Sequence, residues 1–183
     1  MNGKKYAENI SQLALANVDF DMQNRHHISY NLMMIHANTQ SVGDYNGKNS
    51  IFSDDYANLG FTRRQQTNDN MLIVNQLMSN WGLTKSLSLD AGASYNMVKG
   101  YEPDRRINNL TKAEDGYTLL RGNSQQRYFS TLDEDDLNVK AGLVYRLKDN
   151  IEEISNVRFG YTGRFVDDNF KATEYNLTVG HVY

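Results

Sequence analysis

The sequence predicts an all-β protein, an antiparallel up-and-down meander of about seven strands. Three observations predict it. Apolar and polar residues alternate with a period of two along several segments, as side chains do across a strand. A single proline stands among 183 residues, with Gly, Asn and Asp at the breaks, which suits strands and turns better than a helical bundle. The connections between the alternating segments also sort by length, short at one end and long at the other.

Three elements carry the clearest alternation. Leu87–Lys99 sets Leu87, Leu89, Ala91, Ala93, Tyr95 and Met97 against Ser88, Asp90, Gly92, Ser94 and Asn96. Leu137–Leu147 sets Leu137, Val139, Ala141, Leu143, Tyr145 and Leu147 against Asn138, Lys140, Gly142 and Arg146. Val157–Phe165 sets Val157, Phe159, Tyr161 and Phe165 against Arg158, Thr162 and Arg164. Helical spacing would mix these faces. Four further strands follow at 14–22, 27–35, 68–82 and 174–182. The first two place Val18, Phe20, Tyr30 and Leu32 on their apolar faces. Thr67–Leu83 is less regular, and a bulge within it would account for that. The last, Tyr175–Tyr183, pairs Tyr175, Leu177 and Val179 with an aromatic terminus, although His181 interrupts the series.

Composition narrows the class. Hydrophobic residues make up 39% of the chain, and its mean hydropathy is -0.66. No stretch approaches the roughly 20 apolar residues of a membrane-spanning helix. A transmembrane barrel is compatible with such values, because its strands alternate lipid-facing and lumen-facing residues. The formal charge of -3 comes from interspersed charges, so no basic footprint for nucleic acid is expected. Cysteine is absent, which removes disulfides, thiolate nucleophiles and Cys-ligated zinc. The segment from Met1 to Lys5 leads into polar sequence without the apolar stretch of a secretory signal.

Strand length and loop sorting together point to a segment of a transmembrane β-barrel spanning residues 1–183. Strands of about nine to eleven residues cross a bilayer when tilted. Gln23–His26 and Thr84–Ser86 read as the short periplasmic turns, and about 37–66 and 100–136 as long outer loops, with a shorter one at Asp167–Thr173. Seven strands would begin outside and end in the periplasm. Complete bacterial barrels have an even strand number, so at least one strand is expected upstream of residue 1, where any export signal would also lie. The residues expected to face lipid are Leu87, Leu89, Ala91, Ala93, Tyr95, Leu137, Val139, Leu143, Tyr145, Val157, Phe159 and Tyr161. Tyr30, Tyr95, Tyr145, Tyr161 and Tyr175 fall where an interfacial aromatic girdle would put them. Core tyrosines of a soluble sheet are the competing reading.

Short stretches carry a family resemblance. Val42-Gly43-Asp44-Tyr45, Arg63-Arg64-Gln65-Gln66-Thr67-Asn68-Asp69-Asn70, Glu102-Pro103-Asp104-Arg105-Arg106 and Gln126-Arg127-Tyr128-Phe129-Ser130 resemble the strand-and-loop sequence of TonB-dependent outer-membrane receptors. The resemblance covers roughly residues 13 to 180. It implies a 22-stranded barrel in the cell outer membrane, with an amino-terminal plug and a box that engages TonB, neither of them recognisable here. Its implied partners are outer-membrane lipid, the remainder of barrel and plug, TonB through the part not seen here, and a small nutrient ligand that the sequence does not name.

Candidate chemistry is sparse. Asp104, Arg105 and Arg106, with Arg63 and Arg64, are the candidate ligand-binding residues, because adjacent guanidinium groups can hold an anion bidentately. A salt-bridged loop is the plainer reading. Asp133-Glu134-Asp135-Asp136 and Asp167-Asp168-Asn169 offer oxygen ligands for calcium but lack EF-hand spacing, so they also read as solvated loops. His26 and His27 are adjacent, and His36 and His181 isolated, which reads as surface histidine rather than a metal face. No nucleophile–base–orienter set and no phosphate-binding loop stands out. The expectation is no enzyme and no cofactor: a nutrient-uptake barrel segment whose loops help capture ligand. A soluble β-sandwich or small-barrel surface protein with a binding or adhesive role is the alternative.

Overall fold

The structure is a computed structural model, and it describes residues 2–23, 25–47, 59–113, 115–119, 125–150 and 153–177. Seven strands follow one another: β1 (Asn2–Met22), β2 (His26–Gly47), β3 (Gly60–Gly82), β4 (Leu87–Ala113), β5 (Gly116–Leu119), β6 (Gln125–Asn150) and β7 (Glu153–Leu177). They form one antiparallel sheet in the order β1-β2-β3-β4-β6-β7, and the four-residue β5 pairs only with the end of β4. The sheet is open, and the predicted all-β meander is what folds.

Several boundaries differ from the sequence reading. The expected loop at 37–66 is strand as far as Gly47 and again from Gly60. The expected loop at 100–136 is strand to Ala113 and again from Gln125. Asp167–Thr173 lies inside β7, which joins the sixth and seventh predicted strands into one. The remainder of the predicted last strand, with His181 and Tyr183, lies outside the described residues. Six long strands and the four-residue β5 therefore build the sheet. The missed extensions have a common cause. Asn38-Thr39-Gln40-Ser41 and Thr62-Arg63-Arg64-Gln65-Gln66 are polar on both faces, so no alternation marks them as strand.

The loop sorting holds. Three residues separate β1 from β2, four separate β3 from β4 and two separate β6 from β7, all at one end of the sheet, while twelve separate β2 from β3 at the other. Gln23 adopts a left-handed φ of 52° in the first tight turn. Backbone bonds such as Arg25 N–H to Met22 O (3.1 Å) close these turns.

Register then assigns faces. Leu87 pairs with Tyr145 and Tyr145 with Val157; Leu89 with Leu143 and Phe159; Ala91 with Ala141 and Tyr161; Ala93 with Val139; Tyr95 with Leu137 and Phe165. Paired residues share a face, so all twelve residues expected to meet lipid lie together. Across β3, β2 and β1 the same face carries Trp81, Leu77, Ile28, Tyr30, Val18 and Phe20. The result is one apolar band across six strands, and it is uncovered: Phe159 is 82% exposed and Val18 63%. The polar face is the more sheltered one, with Ser29 and Asp136 buried on it. Towards its long-loop limit the band is apolar on both faces, because Leu13-Ala14-Leu15-Ala16, Leu32-Met33-Met34-Ile35 and Met71-Leu72-Ile73-Val74 do not alternate.

No hydrophobic core exists among the described residues. Val144 is their one buried hydrophobic side chain, and no large side chain is fully enclosed. The accessible surface of 13463 Å² compares with about 9000 Å² for a compact soluble chain of this mass. Stability within the sheet therefore comes from the backbone ladder and cross-strand side-chain pairs.

The bulge expected within Thr67–Leu83 lies instead in the partner strand. Between Glu102 and Arg105, β4 carries two residues where β6 has one, and Pro103 and Asp104 have no partner on either side. Proline lacks the N–H that a ladder position needs, and a bulge is where a strand tolerates it. The extra residue inverts the alternation of β4 beyond it.

Gly142 and Gly160 face each other across β6 and β7 on the polar face. A Cβ at Gly160 would lie 2.8 Å from the Ala141 carbonyl oxygen and 3.1 Å from the Gly142 Cα, whereas one at Gly142 meets nothing closer than 3.7 Å. Gly160→Val is accordingly expected to destabilise the sheet by about 1–3 kcal/mol through overpacking. Gly142→Ala should stay within about 1 kcal/mol of the parent. Urea unfolding in detergent, followed by the electrophoretic shift between folded and unfolded forms, measures both.

Candidate functional site

The five candidate ligand-binding residues lie in strands rather than loops, Arg63 and Arg64 on β3 and Asp104, Arg105 and Arg106 on β4. Consecutive strand residues point to opposite faces, so each arginine pair is divided. Arg63 pairs with Asp44, and Arg106 with Gln65 and Arg127, on the face that carries the apolar band. Arg64 and Arg105 lie on the polar face.

The arginines on the band face are already engaged. Arg63 Nε and Nη2 both donate to the Asp44 carboxylate, each at 2.8 Å. Arg127 holds Asp104 the same way, through Nε at 3.1 Å and Nη2 at 2.7 Å, and Arg106 Nε donates to the same carboxylate. Bidentate pairs of this kind fix geometry as well as charge. The Arg63 guanidinium lies over Phe61 at 5.6 Å and that of Arg127 over Phe129 at 5.4 Å. These groups brace neighbouring strands beyond the band, with the Nε donors of Arg63, Arg106 and Arg127 all spent on the protein's own carboxylates. Asp104 thus functions as a brace, as the plainer sequence reading had it, within strands rather than a loop.

Arg105 is differently placed. Its guanidinium stacks on Tyr128, 4.1 Å from the ring centre, and the two residues are cross-strand partners. Glu102 is its nearest acid, with Nη1 and Oε2 3.8 Å apart, beyond hydrogen-bond length. Arg105 Nε and Glu102 Oε1 are both buried and have no protein partner. The same face carries Gln66 and Asn68, and Arg64 donates to Gln66 Oε1 at 3.0 Å. Sequence reasoning singled out Arg105 but missed Glu102 and Tyr128, since the bulge and the β4–β6 register bring them together.

The other candidates resolve as follows. Asp133–Asp136 and Asp167–Asp168 lie in mid-strand, with Asp135 opposite Asp167 and Glu134 opposite Asp168. They are not loop residues, and no group of three metal-ligating side chains occurs among the described residues. Arg164 Nε donates to both Asp136 oxygens at 3.1 Å, and the Tyr95 hydroxyl donates to Asp135 at 2.8 Å, which eases the like-charge pairing. His27 contacts Asp21 at 2.8 Å, His36 contacts Asp69 at 2.5 Å, and His26 packs on Trp81 with ring centres 4.8 Å apart. No protein-family model matches the chain, and no curated protein matches it significantly.

Asp104 supplies a pH test of the brace. The Arg127 hydrogen bonds, the largest cause, hold its carboxyl below the ordinary carboxylate range, and that of Arg106 adds to them against the opposing effect of burial. A depressed native value contributes stability that is present above the unfolded value near pH 4 and is lost as pH falls through the native value. Asp104→Asn should therefore lower the urea midpoint at pH 7, and the gap to the parent should narrow steadily below about pH 4. A gap of the same size at pH 7 and at pH 2.5 would remove the brace.

Proposed function

We propose that this chain forms part of the barrel of an outer-membrane TonB-dependent receptor for nutrient uptake, with its strands as scaffold in lipid and its polar face lining the passage. One observation carries the reading: a continuous apolar band lies on one face of a single sheet, with none of the described residues over it. A soluble sandwich would cover such a face with a second sheet, and the seven described strands all belong to one.

Three further features support lipid as the missing cover. The apolar stretch Leu87–Met97 measures about 33 Å along the strand, which tilted by about 45° gives the roughly 25 Å apolar height of outer-membrane barrels. Two polar side chains within the band, Asn75 and Ser79, are satisfied in place, as hydrocarbon requires. Asn75 accepts from the Tyr30 hydroxyl at 2.8 Å and donates to the Tyr95 carbonyl at 3.3 Å, and Ser79 donates to the Ala91 carbonyl at 3.4 Å. Trp81, His26 and Tyr145 mark the end of the band beside the short turns, where interfacial aromatics belong. Tyr30 and Tyr161 lie within the band, and Tyr175 lies well beyond it, so the girdle is narrower than the tyrosine pattern implied.

The strands also outrun the bilayer on one side. β4 extends for 27 residues, about 85 Å at roughly 3.3 Å each, and the apolar stretch occupies well under half of it. The polar remainder lies at the long-loop end, which in an outer-membrane barrel faces outside. Ligand capture in this reading falls to the upper wall of the sheet, with the long connections above it.

Ala91 and Gly92 test the lipid assignment, being neighbours in mid-band on opposite faces. Ala91→Arg is expected to cost about 2–4 kcal/mol near the bilayer midplane, a transfer cost that Gly92→Arg lacks. Burial in a sandwich would also penalise Ala91→Arg, so accessibility decides. Spin labels at 91 should be quenched by lipid-soluble agents, and those at 92 by water-soluble ones, in protein reconstituted into vesicles. Equal quenching of both sites from water would end the barrel reading.

A further inference from the structure

Among the described residues, the basic side chains on the polar face at the depth of the apolar band are His27, Lys140, Arg158 and Arg164. All but Lys140 face an acid. His27 lies 2.8 Å from Asp21 and 3.6 Å from Asp19, Arg158 lies 3.9 Å from Asp90, and Arg164 donates to both Asp136 oxygens. Lys140 has no acid within ion-pair distance among the described residues. Its ammonium reaches the Met78 sulfur, at 3.6 Å. A thioether is a weak acceptor, whereas an ammonium carries three donors. Most of the bonding capacity of Lys140 is therefore unspent, and the side chain is exposed.

The lysine does not simply extend into water. Its stem lies across β4, where a Cβ at Gly92 would stand 2.8 Å from Lys140 Cε and 3.4 Å from its Cγ. Glycine leaves that path open. The ammonium is thereby carried from β6 over β4 to Met78 on β3. Two hollows of the polar face, about 430 and 470 Å³, meet there, and Met78, Lys140 and Thr162 line both. Gln76 and Ser94 line the first, Ser29 and Asn80 the second. These are uncharged groups able to donate to an anion.

Charge selects the ligand. A cation would meet the ammonium with Asp90 alone in its favour, and Asp90 already accepts from Asn80 and lies beside Arg158. A neutral ligand would leave the ammonium uncompensated. An oxyanion takes a charge-assisted bond from Lys140 and can accept further bonds from the hydroxyls of Ser94 and Thr162. Resting on the receptor reading above, in which this face lines the passage, we propose that Lys140 centres an anion-binding subsite, which takes a carboxylate or phosphate group of the passing ligand.

The test follows each lysine separately. Protein in neutral detergent is reductively methylated with formaldehyde and dimethylamine borane, and peptide mass spectrometry reads the rates at Lys99, Lys140 and Lys171. Sodium phosphate, sodium succinate, glucose and tetramethylammonium chloride are added in turn at constant ionic strength. Phosphate or succinate is expected to slow methylation of Lys140 in a saturable way, because the bound anion occupies the ammonium. Lys99 and Lys171, on the other face, should keep their rates. The anion that acts at the lower concentration identifies the acidic group. Ser94→Ala and Thr162→Ala should each raise the half-protecting concentration about tenfold, as loss of one hydrogen bond to a charged group does. Each variant is first checked for the folded electrophoretic form, and the parent's own protection pattern decides should a variant fail to fold. Equal protection of all three lysines, protection by glucose or tetramethylammonium, no protection by either anion, or protection indifferent to both hydroxyl variants would each overturn the inference. Quenching at positions 91 and 92, read in parallel, separates the two claims. Lipid exposure at 91 without protection of Lys140 defeats the subsite alone, and absence of lipid exposure defeats the receptor reading on which it rests.

Discussion

The cross-strand backbone ladder is the interaction on which this molecule depends, because the described residues form no side-chain core to share the task. Every strand from β1 to β7 takes its order from antiparallel pairing with its neighbours, and Val144 is the single buried hydrophobic among the described residues. In water such a sheet would expose its apolar face at a large free-energy cost. In hydrocarbon the same ladder becomes an advantage, since it satisfies the peptide groups that lipid cannot. The proposed membrane setting thus supplies from outside the apolar contact that a soluble domain finds within.

One local departure from the ladder decides how the upper wall is used. Without the extra residue at Pro103–Asp104, the alternation set by Leu87 to Tyr101 would place Arg105 on the band face and Arg106 on the polar face. The bulge inverts this. Arg106 joins Arg127 around Asp104 on the band face, while Arg105 turns to the polar face, against Tyr128 and beside Glu102. Two adjacent arginines that look equivalent in the sequence therefore do different work, one bracing Asp104 and one stacked on Tyr128. Proline at this position removes a ladder N–H and so favours the irregular geometry that the switch needs.

How much was legible follows from the same physics. Within Leu87–Met97, Leu137–Tyr145 and Val157–Phe165 one face is apolar and the other polar, so period-two alternation revealed both the strands and the shared face. Beyond the band that contrast disappears. Asn38-Thr39-Gln40-Ser41 and Asp167-Asp168-Asn169 carry polar groups on both sides, and without alternation a strand reads as a loop. The same blindness hid the site. Arg105 was visible as a basic residue, but its partners Glu102 and Tyr128 are joined to it by the bulge and by β4–β6 register, neither of which composition encodes.

The place where alternation ends is itself informative. A strand between lipid and a wet passage has different solvents on its two faces, and the sequence records the difference as a period of two. A strand with water on both sides has no such constraint and is free to be polar throughout. On β4 the change falls between Met97 and Lys99, and on β6 between Asp135 and Leu137, residues whose register places the β6 limit one pair closer to the short turns. A level membrane surface crossing tilted strands produces a step of this kind between neighbours. The limit of alternation, read strand by strand, thus traces the line at which the proposed barrel leaves the bilayer, and Glu102 and Arg105 lie on the watery side of it.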